Sequence, residues 1–239
     1  MEINTFSMHE FNHNGHATVT NVYSNEEINQ LLEFIETADT SNSTFRKSAD
    51  VFAIRQVLKE IPEIHELVFN KNLTTFINSN FGNDYFSVKS IYFDKPQSSN
   101  WFVAWHQDLT ISVDKKQDME GFGPWTVKQN QFAVQPPLSV LENIFTVRIH
   151  LDDTNENNGA LNVIPASHKN GIQRTETISK SENTHCCVVP KGGIMLMKPL
   201  LFHSSGRTTN NQKRRVIHIE FSNTQLPDGL NWAEFVNVF

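Results

Sequence analysis

The sequence predicts a mainly β fold in which a short helical buttress precedes an antiparallel sandwich or barrel. From residue 85 onward, short aromatic and β-branched runs recur with turn signals between them. Ahead of that point, apolar residues recur with a helical period. Hydrophobic residues, 38% of the 239, are spread along the chain without a long polar block, enough for a substantial core and contrary to disorder. No linker composition or internal repeat interrupts the pattern. Residues 1–239 are therefore expected to form one domain, with the buttress over about 24–81 and the β core over about 85–222.

Taken in order, residues 17–23 (ATVTNVY) are rich in β-branched positions and read as a strand. Ser24 and Glu27 then have capping-box spacing. Ile28, Leu31, Leu32, Phe34 and Ile35 continue the helical period to about Thr37, and residues 39–44 read as a loop. Residues 51–81 read as helical again, broken at Pro62, with Val57-Leu58 before the break and Leu67-Val68 after it. Gly82-Asn83-Asp84 makes a turn into the β core. That core opens with residues 85–93 and continues through 101–105, 132–135, 145–151, 161–164, 185–189, 193–198 and 215–221.

Composition narrows the function classes. Net charge is -6 with a pI near 5.9, which disfavours a phosphate-backbone partner, and Lys213-Arg214-Arg215 is too short for a nucleic-acid patch. The cysteines, Cys186 and Cys187, are adjacent and read as strand residues with no disulfide framework, which fits a reducing compartment. The first residues lack a basic stretch followed by an apolar one, and no apolar run approaches bilayer length. The expected protein is cytoplasmic, monomeric or homodimeric, with a small-molecule substrate and neither nucleic acid nor membrane as partner.

Trp105-His106-Gln107-Asp108 closes a strand, and residues two apart on a strand project from one face. His106 and Asp108 can therefore reach one ion together, with His203 the second imidazole. Two histidines and one carboxylate leave three positions open, which suits non-haem iron(II); zinc more often takes a third histidine or keeps a tetrahedral site with one water. Arg214 lies eleven residues after His203, at the start of the next strand-like run. A guanidinium there can grip the distal carboxylate of 2-oxoglutarate through two parallel hydrogen bonds. Alternation puts Arg214 and Arg215 on opposite faces, so at most one of them faces the pocket.

Three ordered motifs now resemble the phytanoyl-CoA dioxygenase family of Fe(II)/2-oxoglutarate-dependent oxygenases: His106-Gln107-Asp108, then Asn157-Asn158-Gly159-Ala160-Leu161 leading to Ile164-Pro165-Ala166-Ser167-His168, then His203-Ser204-Ser205-Gly206 followed by Arg214. Asn14-Gly15, before a strand and a capped helix, is similar to the family's opening, so the resemblance spans nearly the whole chain. It implies a double-stranded β-helix (jelly-roll, cupin-like) core. It also implies Fe(2+) held by His106, Asp108 and His203, with Arg214 anchoring the C5 carboxylate of 2-oxoglutarate. Gln107 and Ser205 are candidates for cosubstrate contacts or for positioning the ligands. The implied reaction consumes O2, decarboxylates 2-oxoglutarate to succinate and hydroxylates a C–H bond of a small or medium-sized metabolite. Radical halogenases similar to this family carry a small residue in place of the carboxylate, so Asp108 favours hydroxylation or a related oxidation.

The remaining candidates have plainer roles beside functional ones. Arg148 alternates with Val147 and Ile149, so it can face the interior, where it needs an anion: cosubstrate, substrate or a carboxylate such as Asp152. His150 and His218 read as hydrogen-bonded core or pocket-wall residues, His168 as a loop anchor, and Arg55 as part of a solvated helix face. The 109–143 insert departs from the family pattern; its Phe122 and Trp125 can line the pocket or pack on the barrel. Two rival readings remain at this point, a cupin-like binding protein without turnover and a metal-dependent isomerase or hydrolase. Neither needs a carboxylate clamp at Arg214.

Overall fold

The computed structural model of the chain describes residues 6–39, 41, 44–47, 52–97, 101–128, 131–174 and 183–239. Helix α1 (Met8–Asn14) starts where Ser7 accepts the Glu10 N–H and ends at Gly15, whose φ of 80° suits a residue without a Cβ. Only Phe11 of α1 is buried, too little for a periodicity to betray the helix. After β1 (His16–Val19), α2 (Asn25–Thr37) opens on the expected capping box. The Ser24 hydroxyl accepts from the Glu27 N–H while the Glu27 carboxylate accepts from the Ser24 N–H at 2.8 Å. The helix buries Ile28, Leu31 and Ile35, the spacing read from the sequence.

Strands β2 (Phe45–Lys47) and β3 (Phe52–Arg55) come next, followed by α3 (Val57–Glu60), α4 (His65–Val68) and α5 (Lys71–Phe81). The expected helix over 51–81 is therefore corrected at its start, while Val51 lies outside the described residues. Arg55 belongs to a strand, where it registers with Ile91 of β4 (Phe86–Lys95). A run this short takes its conformation from the neighbour that supplies hydrogen bonds, which local sequence does not encode. Pro62 does break the helical stretch, opening a 3₁₀ turn.

The β core continues as β5 (Val103–His106), β6 (Ile111–Val113), β7 (Trp125–Lys128), β8 (Gln131–Val134) and, past α6 (Leu138–Glu142), β9 (Ile144–His150). Its last strands are β10 (Leu161–Val163), β11 (His185–Cys187), β12 (Ile194–Met197), β13 (His203–Ser205), β14 (Arg214–Ser222) and β15 (Val236–Asn237). The largest sheet has eight strands in the order β1-β12-β9-β14-β4-β3-β2, with β15 also on β4; a second has the order β11-β10-β13-β5. The described pairings are antiparallel. His203 begins β13.

The two faces of the large sheet have opposite chemistry, as period-two alternation requires. Phe145, Val147 and Ile149 of β9, with Ile217, Ile219 and Phe221 of β14, join Ile28, Leu31, Leu73 and Ile77 of the helices in the main core. Phe145 is stacked against Phe81 at 3.9 Å between centroids and against Phe221 at 5.0 Å. On the other face Met195 and Met197 join a smaller apolar cluster with Leu161, Val163 and Leu201, and beside it runs a polar yet mostly buried stretch: Lys95, Arg148, His150, Arg214, His218 and Glu220, with Lys89 half-buried. A stretch of that kind must line something other than solvent or core.

The 109–143 insert builds its own sheet, in the order β6-β8-β7. Ile111, Val113 and Val134 pack with Val140, Leu141 and Trp232, and Phe122 and Trp125 lean on this cluster. Of the two roles open to those rings, packing is the one the fold gives them. Among the described residues, no helix is long and apolar enough to cross a membrane.

Candidate functional site

His106 ends β5 and His203 begins β13, and the two residues sit directly opposite each other across that strand pair. Asp108 lies two residues past His106, its N–H donating to the Pro199 carbonyl at 2.9 Å. This brings the three side chains together, with donor atoms all within 4.8 Å of one another. His106 Nε2 is 3.7 Å from Asp108 Oδ1, and His203 Nε2 is 3.7 Å from Oδ2.

Tautomers decide what these contacts mean. His106 Nδ1 lies 2.8 Å from the Ala104 carbonyl and His203 Nδ1 lies 3.0 Å from the Leu201 carbonyl. A carbonyl only accepts, so each Nδ1 carries the proton and each Nε2 presents a lone pair. Two lone pairs thus face two carboxylate oxygens at a distance too long for hydrogen bonding. Burial foremost lowers the His203 pKa to about 4, which keeps that ring neutral near pH 7. Burial raises Asp108, but His203, His218, Lys89 and His106 outweigh it and bring the carboxyl down to about 2. An arrangement of converging electron pairs without protons fits a cation, and histidines steered through Nδ1 by an acceptor are what a metal site requires.

Below this trio runs a hydrogen-bonded chain. Lys89 Nζ donates to Glu220 Oε1 at 2.8 Å, His218 Nε2 lies 3.2 Å from the same oxygen, and Arg148 Nη1 lies 3.0 Å from His218 Nδ1. Arg148 is therefore corrected as a partner of Asp152. That carboxylate belongs to Arg215, whose Nε and Nη2 donate to it at 2.8 and 2.7 Å. The reason is the expected alternation: Arg215 faces outward and Arg214 inward.

Arg214 registers with Lys95 on β4. Its Nη1 donates to the Gly159 carbonyl at 2.6 Å and its Nε, though buried, has no partner. Lys95 Nζ donates to the Gly206 carbonyl, and Arg148 Nε is also buried and unpartnered. Burial foremost, then Arg214, lowers the Lys95 pKa to about 8; burial and Arg148 act in the same direction on Arg214. Among the described residues no carboxylate pairs with Lys95 or Arg214, so the pocket carries buried positive charge in want of an anion. Gly159 keeps it open: its φ is 84°, and a Cβ there would meet Lys95 Nζ at 2.6 Å.

Ser205 also sits at this pocket, donating to the Gly159 carbonyl at 2.8 Å. Gln107 does not: its Nε2 donates to the Gly171 and Leu200 carbonyls at 2.9 and 2.7 Å while its Oε1 accepts from the Gln173 N–H. Of the two roles open to Gln107, these bonds fit positioning: they clamp two loops beside the His106–Asp108 segment. His168 anchors a loop as expected, with Nε2 3.2 Å from the Asn12 carbonyl. His150 binds Thr154 at 2.8 Å and His218 forms part of the pocket wall. Lys89, Lys95 and Glu220 were missed, although charged residues at alternate positions of otherwise apolar strands signal an enclosed polar face.

The family model described as phytanoyl-CoA dioxygenase matches residues 11–216. No curated protein matches the chain. Among solved structures, EctD from S. alaskensis with 2-oxoglutarate and 5-hydroxyectoine is 16% identical at a TM-score of 0.69, over 90% of this chain and 74% of that one. HygX from Streptomyces hygroscopicus with nickel, 2-oxoglutarate and hygromycin B is 14% identical at 0.64, over 90% and 85%. The non-heme alpha ketoglutarate dependent epimerase SnoN from nogalamycin biosynthesis is 13% identical at 0.65, over 90% and 81%. At these identities the likeness is one of fold.

Proposed function

The chain belongs to the phytanoyl-CoA dioxygenase family, and from that premise we propose that it is an iron(II)- and 2-oxoglutarate-dependent oxygenase hydroxylating a C–H bond of a small or medium-sized metabolite. The observation that carries the reading is the convergence of two imidazole lone pairs and one carboxylate at His106, His203 and Asp108. The two larger sheets are read as the halves of a double-stranded β-helix within a single domain. The cytoplasm and a monomer or homodimer remain the expected setting.

Iron(II) bound by these three residues would supply dioxygen activation, driven by oxidative decarboxylation of 2-oxoglutarate to succinate. The chain's own residues do the rest. The Ala104 and Leu201 carbonyls fix both imidazoles so that Nε2 points into the site. Arg214, with its spare Nε–H, and Lys95 beside it take the distal carboxylate of 2-oxoglutarate, and Ser205 lies within their reach. Lys89, His218 and Arg148 favour Asp108 as an anion, with Glu220 holding Lys89 and His218 in place. A binding protein without turnover has no need of the unpaired cations at Lys95 and Arg214, and a metal hydrolase has no use for them. The Asp108 carboxylate argues against halogenation and favours hydroxylation or a related oxidation; the epimerase SnoN shares the fold.

Succinate formation tests the reading. Purified protein with iron(II), ascorbate and 2-oxoglutarate should release succinate slowly, and faster when its substrate is present in a metabolite pool. The Asp108→Ala variant should bind iron weakly and release none. No succinate under any pool, together with no iron uptake by the unaltered protein, would sink the assignment.

A further inference from the structure

We propose a second metal site, a zinc site formed by His16, His185 and Cys187, at the edge where the two larger sheets meet. Strand β1 is the outer strand of the large sheet and β11 the outer strand of the four-stranded one. The fold brings these two edges together, although their residues are far apart in sequence. His185 and Cys187 are two apart on β11 and project from one face. His16 stands across from them, and the three donor atoms lie within 4.8 Å of one another.

The contacts within this cluster are poor ones unless a cation joins them. His16 Nδ1 is 3.9 Å from Cys187 Sγ, and the rings of His16 and His185 lie face to face with centroids 5.0 Å apart and planes 26° from parallel. Cys187 is 1% exposed and borders an apolar cluster with Leu161, Val163 and Met195, its sulfur within 4.8 Å of both imidazoles, whereas Cys186 projects to the other side.

Two imidazoles and one thiolate are a soft-to-borderline donor set, which selects zinc over the oxygen-loving cations. Bond lengths of about 2.3 Å to sulfur and 2.0–2.1 Å to nitrogen put neighbouring ligands roughly 3.6 Å apart on a tetrahedral ion. The pair at 3.9 Å must close by only a few tenths of an ångström. His185, which is exposed, can swing to meet it. Water fills the fourth position. On binding, the Cys187 S–H bond breaks, its proton passes to solvent and the sulfur lone pair goes to the metal. The ion would tie the free edges of two sheets together. It differs from the His106–Asp108–His203 group in having sulfur.

That difference supplies the test. Cobalt(II) titrated into the reduced, full-length protein should give a thiolate-to-cobalt charge-transfer band in the near-ultraviolet that zinc bleaches and that saturates at one equivalent in Asp108→Ala, where the other site is disabled. Asp108→Ala and Cys186→Ser should keep the band; Cys187→Ser should lose it. His185→Gln, which alters an exposed side chain and leaves folding safe, should weaken zinc binding at least about tenfold. A wild-type protein without the band at saturating cobalt overturns the site. So does a band that survives Cys187→Ser, one lost in Cys186→Ser, or unchanged zinc affinity in His185→Gln.

Discussion

Arg214 shows how much one residue's meaning depends on its neighbours. Among Lys213, Arg214 and Arg215, the inward position is set by strand alternation, and the outward one is taken by Asp152 and Glu36 at 2.7 and 3.2 Å. The guanidinium is left with one carbonyl acceptor and a buried N–H with none. A carboxylate ligand would satisfy it through two parallel bonds, which an ammonium cannot do. Arg214→Lys should therefore raise KM for 2-oxoglutarate about tenfold to a hundredfold with a smaller change in kcat, measured as succinate formed against cosubstrate concentration. An unchanged KM would remove Arg214 from the clamp. The histidines at 106 and 203 follow the same logic: the sequence names them, and the carbonyls behind them decide which nitrogen is free.

At the scale of elements, the large sheet matters because it serves two purposes at once. Its apolar face is pinned to the helices by Phe145, between Phe81 and Phe221. Phe145→Ala should cost about 3–5 kcal/mol of stability, read from urea unfolding, because the ring has no room to be replaced by solvent. A loss under 1 kcal/mol would mean the sheet and α5 are held by other contacts. Its β4 strand is also tied to the C-terminal segment through Glu234, which accepts from the Ser90 N–H at 2.5 Å and the Ser90 hydroxyl at 2.6 Å. Burial foremost raises this carboxyl from its ordinary 4.5 to about 7, against the pull of the Ser90 hydrogen bonds and Lys89. The folded chain thus holds this proton more tightly than the unfolded one. The stability it contributes is present below about pH 4.5 and is lost as pH rises to about 7. Glu234→Gln should flatten that stretch of the stability–pH curve, and an identical slope in the variant would assign it elsewhere.

At the scale of the whole molecule, Lys95, Arg148 and Arg214 put positive charge where burial opposes it. A fold that tolerates this should gain from an anion that enters. Under anaerobic iron(II), 2-oxoglutarate at a hundred times its Kd should add about 2.7 kcal/mol, a rise in melting temperature of roughly 5–10 °C. Arg214→Ala should lose most of that rise; an equal rise in the variant would mean the anion binds elsewhere. What the sequence determined alone was whatever has a short period or a fixed spacing. That covers the capping box at Ser24, the two-residue spacing of His106 and Asp108, the alternation that separates Arg214 from Arg215, and the order of the motifs. The tertiary structure decided which distant strands meet: β5 with β13 to join His106 to His203, β4 with β14 to set Lys95 beside Arg214, β3 with β4 to turn part of an expected helix into a strand. Side-chain period is a local property of the chain, whereas strand partners and register come from backbone hydrogen bonds and packing between segments far apart in sequence.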